Sequence, residues 1–484
     1  MLQIPTIYQK ELNITDELLT QWYEAKSPVL IDAPPESGKT YNMRKVNDFA
    51  EKHDLRILAT APRKDAVDNI KEECAKCKRI RAKTIQALQS MEPEDMIDYI
   101  NTHQILILDE IHSMVSDDFT KDNHIFMQTI MEEYKGLVIG MTGTNYFELE
   151  NMFTQDYGKV WSLLKVEEDF GFLQDNKITF FMSDETASHI IRRAVANGEK
   201  VFVGCDYIEK LEKYREGNEK NSFTIVSKGN RKKKEMCTKK EKEHLLTTGL
   251  YPKGKDILFC TRAYELGNNI KENVTSILID ADDLTTIMQF CRRVRTKSEG
   301  QHVKQVKIYV RAYNAAELTD KYEEVKKMLE ASKLFQEDEK AFREKYKRKI
   351  DDPSDILYTA PAVNGGYELR VNPLKEAYWK KRQKVFCRQE MRYWIYMVCS
   401  IFGDCTFEVL SNPQLEEFME QHVGQALTAK QKKELQDISG ETKLEDVNKV
   451  CEQERINQRI VNKRASYYVN GVRSQPWEWN VVTI

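Results

Sequence analysis

Lys39 and Thr40 close the run Ala33-Pro34-Pro35-Glu36-Ser37-Gly38-Lys39-Thr40, one residue after the apolar stretch Val29-Leu30-Ile31. A strand feeding such a turn lets backbone N–H groups converge on a triphosphate at the N-terminus of the next helix. In that arrangement Lys39 reaches the β- and γ-phosphates and the Thr40 hydroxyl ligates Mg²⁺, while Pro34, Pro35, Glu36, Ser37 and Gly38 form the cradle. The usual pattern opens on a glycine, and here that position is Ala33. A second constellation completes the chemistry. Gln104-Ile105-Leu106-Ile107-Leu108 reads as a buried strand and ends in Asp109-Glu110-Ile111-His112. A carboxylate pair at the C-terminal end of a buried strand is where a nucleotide-binding α/β sheet anchors Mg²⁺ and activates water. Asp109 is therefore the expected metal partner and Glu110 the expected base. The two motifs together imply binding and hydrolysis of a nucleoside triphosphate, with ATP and Mg²⁺ as the expected cofactors.

The elements that must position these residues alternate along the chain. Strands are predicted at Pro28–Ile31, Arg56–Thr60, Gln104–Leu108 and Leu137–Gly140, with helix-like spacing over Lys64–Cys77 and Glu92–Asn101. That alternation predicts a parallel sheet covered on both faces. A second series follows a mixed stretch near Asp156–Asp175: Lys177–Met182, Lys200–Gly204, Ser222–Ser227, Asp256–Cys260, Thr275–Ile279 and Val306–Val310, with a helix over Glu185–Asn197. Two α/β units, the first alone with a phosphate loop, place the nucleotide in the cleft between tandem domains. The expected boundaries are 1–156, 157–312 and 313–484, the last mainly helical. In it, the charged stretch Ala315–Ile350 reads as an exposed helix or helix pair, and Asn364-Gly365-Gly366 as a hairpin turn.

Composition sets limits. A chain of 484 residues accommodates about three domains on size alone. Its 41% hydrophobic and 31% charged residues suit ordinary packed cores. No apolar run approaches the roughly 20 residues that span a bilayer, and the N-terminus lacks an apolar signal region, so no membrane role and a cytoplasmic location are expected. The ten cysteines are scattered, as suits reduced thiols. Cys74-Ala75-Lys76-Cys77 has no second pair at a metal-binding interval. With a net charge of −3, a polyanionic partner must be held by local basic patches.

Over residues 28 to 312 the chain resembles superfamily 2 nucleic-acid helicases. The loop of that family commonly reads APTGSGKT, so Ala33 fits and Glu36 departs from a glycine. Asp109-Glu110-Ile111-His112 resembles the DExH box. The resemblance implies that Asp109 holds Mg²⁺ through water, that Glu110 polarises the attacking water, and that His112 reports nucleotide state to neighbouring elements. Thr60-Ala61-Pro62-Arg63 and Thr84-Ile85-Gln86-Ala87-Leu88 resemble strand-contacting motifs, implying nucleic-acid contacts by Pro62, Arg63 and Thr84. Met141-Thr142-Gly143-Thr144 stands where the S-A-T motif couples hydrolysis to strand contact, implicating Thr142 and Thr144. Phe259 through Ile270 resembles C-T-x-x-x-x-x-G-x-D-[IV], implying Thr261 at nucleic acid and Gly267 and Asn269 at the nucleotide, with Asn269 replacing the usual Asp. Gln289-Phe290-Cys291-Arg292-Arg293-Val294-Arg295-Thr296 resembles the arginine-finger motif, with Arg292 in the glycine's place. The resemblance gives Gln289, Arg293 and Arg295 catalytic roles at the γ-phosphate. The R-V-R spacing is most similar to herpesvirus-type origin-binding helicases.

Two basic regions admit more than one reading. Arg231, Lys232, Lys233, Lys234, Lys239 and Lys240 form either a solvated loop or a phosphate-tracking patch, each single-strand phosphate adding about −0.7 to the log–log salt slope. Tyr378, Trp379, Arg382, Phe386 and Trp394 mix aromatic and basic residues at helical spacing, as core or as a base-stacking surface. The expectation is an ATP-driven helicase or translocase on single-stranded or duplex nucleic acid, DNA favoured over RNA, working in viral or phage replication alongside other replication proteins. The alternatives are an RNA-dependent remodelling ATPase and a nucleotide-binding switch.

Overall fold

A computed structural model describes residues 4–34, 37–116, 120–146, 148–168, 170–226, 238–261, 270–295, 304–346, 356–361, 367–410, 413–439, 443–453, 456–464, 467–469, 472–474 and 477–483. Seven strands build the first sheet: β1 (Thr6–Gln9), β2 (Val29–Asp32), β3 (Ile57–Ala61), β4 (Ile80–Thr84), β5 (Ile105–Leu108), β6 (Leu137–Thr142) and β7 (Ser162–Val166). They lie in the order β1-β7-β2-β6-β5-β3-β4, and every pairing is parallel. Parallel strands need both faces covered, and the burial of the central ones shows it. Leu30, Leu58 and Leu106 enter one apolar cluster, while Ile31, Ile57, Ile105 and Ile107 enter another on the opposite face. One strand, β6, separates the loop-bearing β2 from the carboxylate-bearing β5, which leaves room between the two chemistries at the C-terminal ends of the strands.

The second sheet draws on β8 (Leu173–Phe181), β9 (Lys200–Cys205), β10 (Ser222–Ile225), β11 (Ile257–Cys260), β12 (Val274–Asp280) and β13 (Val306–Arg311). Beyond it come the helices Ala315–Glu337 and Glu339–Tyr346, the long charged stretch of the sequence, and an antiparallel pair of β14 (Leu357–Pro361) with β15 (Tyr367–Val371). The Asn364–Gly366 turn lies outside the described residues. The chain then returns as β16 (Thr406–Leu410), which pairs in parallel with β8 and completes the order β10-β11-β9-β12-β13-β8-β16. The architecture is thus two tandem parallel-sheet α/β domains with a mostly helical C-terminal region. Among the described residues no helix is long and apolar enough to cross a membrane.

Two boundaries differ from those expected. The first sheet runs past residue 156, because β7 fills the gap between β1 and β2. The second sheet does not end at 312, because β16 is its outermost strand. The last part of the chain also ends in strands: Gln458–Arg464 pairs with Trp477–Thr483, and helices 413–421, 429–439 and 444–453 pack on that pair around Leu415, Met419, Val447, Ile460 and Val481.

The helix Pro373–Phe386 resolves the aromatic-rich segment. Tyr378, Trp379, Phe386 and Trp394 are buried, so they are core and not a stacking platform. One continuous apolar cluster runs from Leu30 and Leu106 through Phe202 and Phe290 to Tyr378 and Trp394, joining both sheets and the C-terminal helices.

A glycine sets how closely the helix Leu284–Arg293 approaches the second sheet. A Cβ on Gly204, in β9, would lie 2.6 Å from ring carbons of Phe290 on that helix. Gly204→Ala is therefore expected to destabilise the chain by about 1–3 kcal/mol through overpacking. A urea midpoint equal to that of the native chain would refute this.

Candidate nucleotide site between the two sheets

The loop after β2 turns into the helix Lys39–Lys52 at Gly38, whose φ of 83° suits only glycine. Backbone from neighbouring strands fixes its entry, since Ala33 N–H donates to Thr142 O at 3.0 Å. The Lys39 ammonium folds back and donates to the carbonyls of Ala33 at 2.8 Å and Pro34 at 3.4 Å. Burial pulls this ammonium below the ordinary lysine range, against the attraction of Glu110 and Asp109. Ser37 Oγ is buried with no hydrogen-bond partner among the described residues, an unspent donor inside the loop. Pro35 and Glu36 lie outside the described residues.

The helix has a further anchor that the sequence reading missed. Asn42 is 1% exposed; its Oδ1 accepts from Ile14 N–H at 2.9 Å, and its Nδ2 donates to Leu12 O at 3.2 Å and Gly38 O at 3.0 Å. The segment preceding the first helix is thereby tied to the loop. A lone Asn one turn after Gly38 on a buried helix face was the available signal.

Asp109 and Glu110 leave β5 side by side. Asp109 N–H donates to Thr60 O at 2.8 Å, and Ile111 N–H to Met141 O at 3.0 Å, so β3 and β6 clamp the turn from either side. Between them Glu110 takes a left-handed backbone, φ 49°, which costs a non-glycine residue about 1 kcal/mol or more. The two carboxyls divide their ionisation. Burial and Glu110 push Asp109 up to about 7, with Lys39 opposing. Burial would raise Glu110 as well, but His112, Lys39, Arg293 and Arg292 bring it below the usual carboxylate range. Paired carboxyls beside a phosphate-type loop with an unspent hydroxyl form a donor set that fits a nucleotide with a divalent cation.

His112, 1% exposed, joins the two domains. The Thr142 hydroxyl donates to Thr144 O at 2.9 Å and accepts from Thr144 N–H at 3.0 Å. Its only proton is thus spent, so at its 3.0 Å contact with His112 Nδ1 the imidazole must be the donor. That leaves Nε2 as acceptor for the side-chain amide of Gln289, from the helix Leu284–Arg293 of the second domain. Burial holds His112 below the ordinary histidine range, in keeping with a neutral ring. Gln289 also reaches Thr144 Oγ1 at 3.5 Å. Three motifs separated in sequence therefore meet in one hydrogen-bonded chain.

The other expected residues are distributed as follows. Arg293 is 9% exposed and is among the charges that act on Glu110. Arg295 is exposed, past the helix end, with its N–H bonded to Ile270 O at 2.9 Å. Thr142 and Thr144 are buried and turned to His112 and Gln289. Thr84 caps the short helix Ile85–Gln89 by accepting from Ala87 N–H at 3.1 Å. Pro62 is buried and Arg63 partly exposed at the start of the helix Lys64–Glu73. Thr261 follows β11, partly exposed, while Gly267, Asn269 and Arg231–Lys234 lie outside the described residues. Lys239 and Lys240 begin the helix Lys239–Thr248 and are exposed. Cys74 is buried and Cys77 partly so, and burial followed by Cys77 pushes the Cys74 thiol up to about 12.

Residues 17–138 match the family model for an AAA domain, AAA_30. The matched stretch spans the loop at Lys39 and the carboxyl pair Asp109–Glu110. Among curated proteins none matches the chain in sequence. Similar solved structures include the DEAD-box helicase Mss116 bound to ssRNA and UDP-BeF, at 12% identity and TM-score 0.44 over 63% of this chain and 77% of that one. Another is the Escherichia coli DEAH/RHA helicase HrpB, at 12% identity and TM-score 0.41, covering 61% of this chain and 42% of that one. A third is Dbp5 from S. cerevisiae bound to RNA and ADP BeF3, at 10% identity and TM-score 0.41, covering 60% and 79%.

Proposed function

We propose that this chain is an ATP-driven nucleic-acid motor, a helicase or translocase, with DNA as its favoured track. The observation that carries the reading is the chain of hydrogen bonds from Thr142 through His112 to Gln289, which joins the carboxylate loop of one domain to the arginine helix of the other. Such a link lets the nucleotide state of the first domain act on the helix Leu284–Arg293 of the second. A motor requires it, because work is done by opening and closing the two domains around the nucleotide.

In this reading Lys39 and the loop backbone hold the phosphates, and Thr40 and Asp109 hold Mg²⁺. The cation, when bound, supplies charge neutralisation at the phosphate oxygens. Glu110, kept ionised by the surrounding cations, takes a proton from the attacking water. Arg293 approaches from the second domain and stabilises charge developing on the γ-phosphate. The N-terminus of the helix Lys64–Glu73, with Arg63 at its start, supports phosphate contacts of a strand lying along the C-terminal ends of the first sheet. The R-V-R spacing of Arg293 and Arg295 supports DNA and a replication role with other replication proteins as partners.

Steady-state ATPase activity measured alone, then with single-stranded DNA, duplex DNA and RNA, tests the proposal. Stimulation of tenfold or more by DNA is expected. A rate near zero with all of them would sink the motor reading, and stimulation by RNA alone would move the track from DNA to RNA.

A further inference from the structure

Arg292 stands beside the catalytic helix positions yet spends its guanidinium elsewhere. One terminal nitrogen donates to Gly143 O, in the turn that holds Thr142 and Thr144, and the other to Glu168 Oε1 at 2.6 Å. The arginine side chain is 8% exposed and the glutamate 28%. Glu168 lies between β7 and β8, in the segment that connects the two sheets. One side chain thus fastens the C-terminal end of the helix Leu284–Arg293 to the first domain and to the connector.

The opposite end of that helix is fastened as well. Asp283 caps it, accepting from Thr286 N–H at 2.9 Å. The preceding residue, Asp282, is held by Lys321 at 2.6 Å and Arg382 at 3.0 Å, from two C-terminal helices. Next to Arg382, Lys381 reaches Glu148 of the first domain at 3.2 Å. Every one of these partners is a protein group.

We infer that the Arg292–Glu168 pair is an interdomain brace that holds the cleft closed and sets how much ATP is turned over without nucleic acid. Arg292 is a positioning residue in this scheme: it keeps Gln289 and Arg293 aimed at His112 and Glu110. The inference about turnover rests on the ATPase reading above, whereas the brace itself is a statement about domain closure. Charge-assisted, largely desolvated pairs are the stronger kind of ion pair. Losing this one is expected to shift the ratio of closed to open molecules about tenfold, the effect of about 1.4 kcal/mol. A nucleic-acid strand bound across both domains would supply closure independently, so the stimulated rate should depend far less on the brace.

The test uses the full chain with Glu168→Gln and, separately, Arg292→Gln, each checked for native melting. Small-angle X-ray scattering should give a larger radius of gyration for both variants than for the native chain. Without nucleic acid, a native chain closed about ten to one should lose about half its ATPase rate, the closed fraction falling from about 0.9 to about 0.5. With saturating single-stranded DNA the rate should stay close to native, raising the stimulation ratio. Adding Glu168→Gln to Arg292→Gln should change little further, because loss of the arginine already removes that contact. An unchanged radius of gyration overturns the brace whatever the rates do. So does a parallel loss of basal and stimulated activity, which would mark Arg292 as a residue acting on the phosphates themselves. If the native chain hydrolyses no ATP, the motor reading fails and the scattering comparison still decides the brace.

Discussion

Arg293→Ala is expected to lower ATP turnover by about 10³–10⁵, while Arg295→Ala costs no more than about tenfold. The asymmetry follows from where the helix ends. Arg293 is the last residue of the helix Leu284–Arg293, buried among the groups that act on Glu110. Arg295 lies two residues on, exposed to solvent. A guanidinium contributes most when it is fixed and desolvated before charge develops, because no solvent must then reorganise. Single-turnover rates at saturating ATP separate this effect from binding, and KM for ATP should change much less than the rate. Equal losses in the two variants would mean that the residues after the helix end fold inward during turnover.

Glu110→Gln should retain nucleotide and lose hydrolysis by about 10²–10⁴, the usual contribution of a positioned base. The amide keeps the shape of the side chain but cannot take a proton. It also removes one negative charge beside Asp109, whose ionisation Glu110 opposes. The variant should therefore bind ATP at least as tightly as the native chain and accumulate in the nucleotide-bound form, as a fluorescent ATP analogue would report. Weakened binding with a normal rate at saturation would assign Glu110 to the ground state and leave the base to be sought elsewhere.

Much of this geometry was legible in the sequence, for a physical reason. Val29-Leu30-Ile31 and Ile105-Leu106-Ile107-Leu108 are buried on both faces of a sheet, so they are apolar throughout, and the chemistry follows where each run stops. The strands that escaped the reading are at or next to sheet edges. β4, Ile-Arg-Ala-Lys-Thr, is half exposed; β1 and β16 likewise keep much of their surface. Their place is decided by a partner strand and not by their own pattern. Side-chain direction was equally out of reach. Sequence order set Thr142 and Thr144 at the end of β6, yet only packing turns the first toward His112 and the second toward Gln289. The pairing of Arg292 with Glu168 joins residues far apart in the chain, and nothing local to either announces it.

The return of β16 to the second sheet has a consequence for how the chain is made. The strand that protects β8 lies roughly a hundred residues after β13, and synthesis at 5–20 residues per second delivers it about 5–20 seconds later. Through that interval the nascent second domain carries an uncovered strand edge, the kind of surface that pairs with a neighbouring chain on the same messenger. The helices emerging in between, Ala315–Glu337 and Pro373–Phe386, reach the ribosome exit before β16 does.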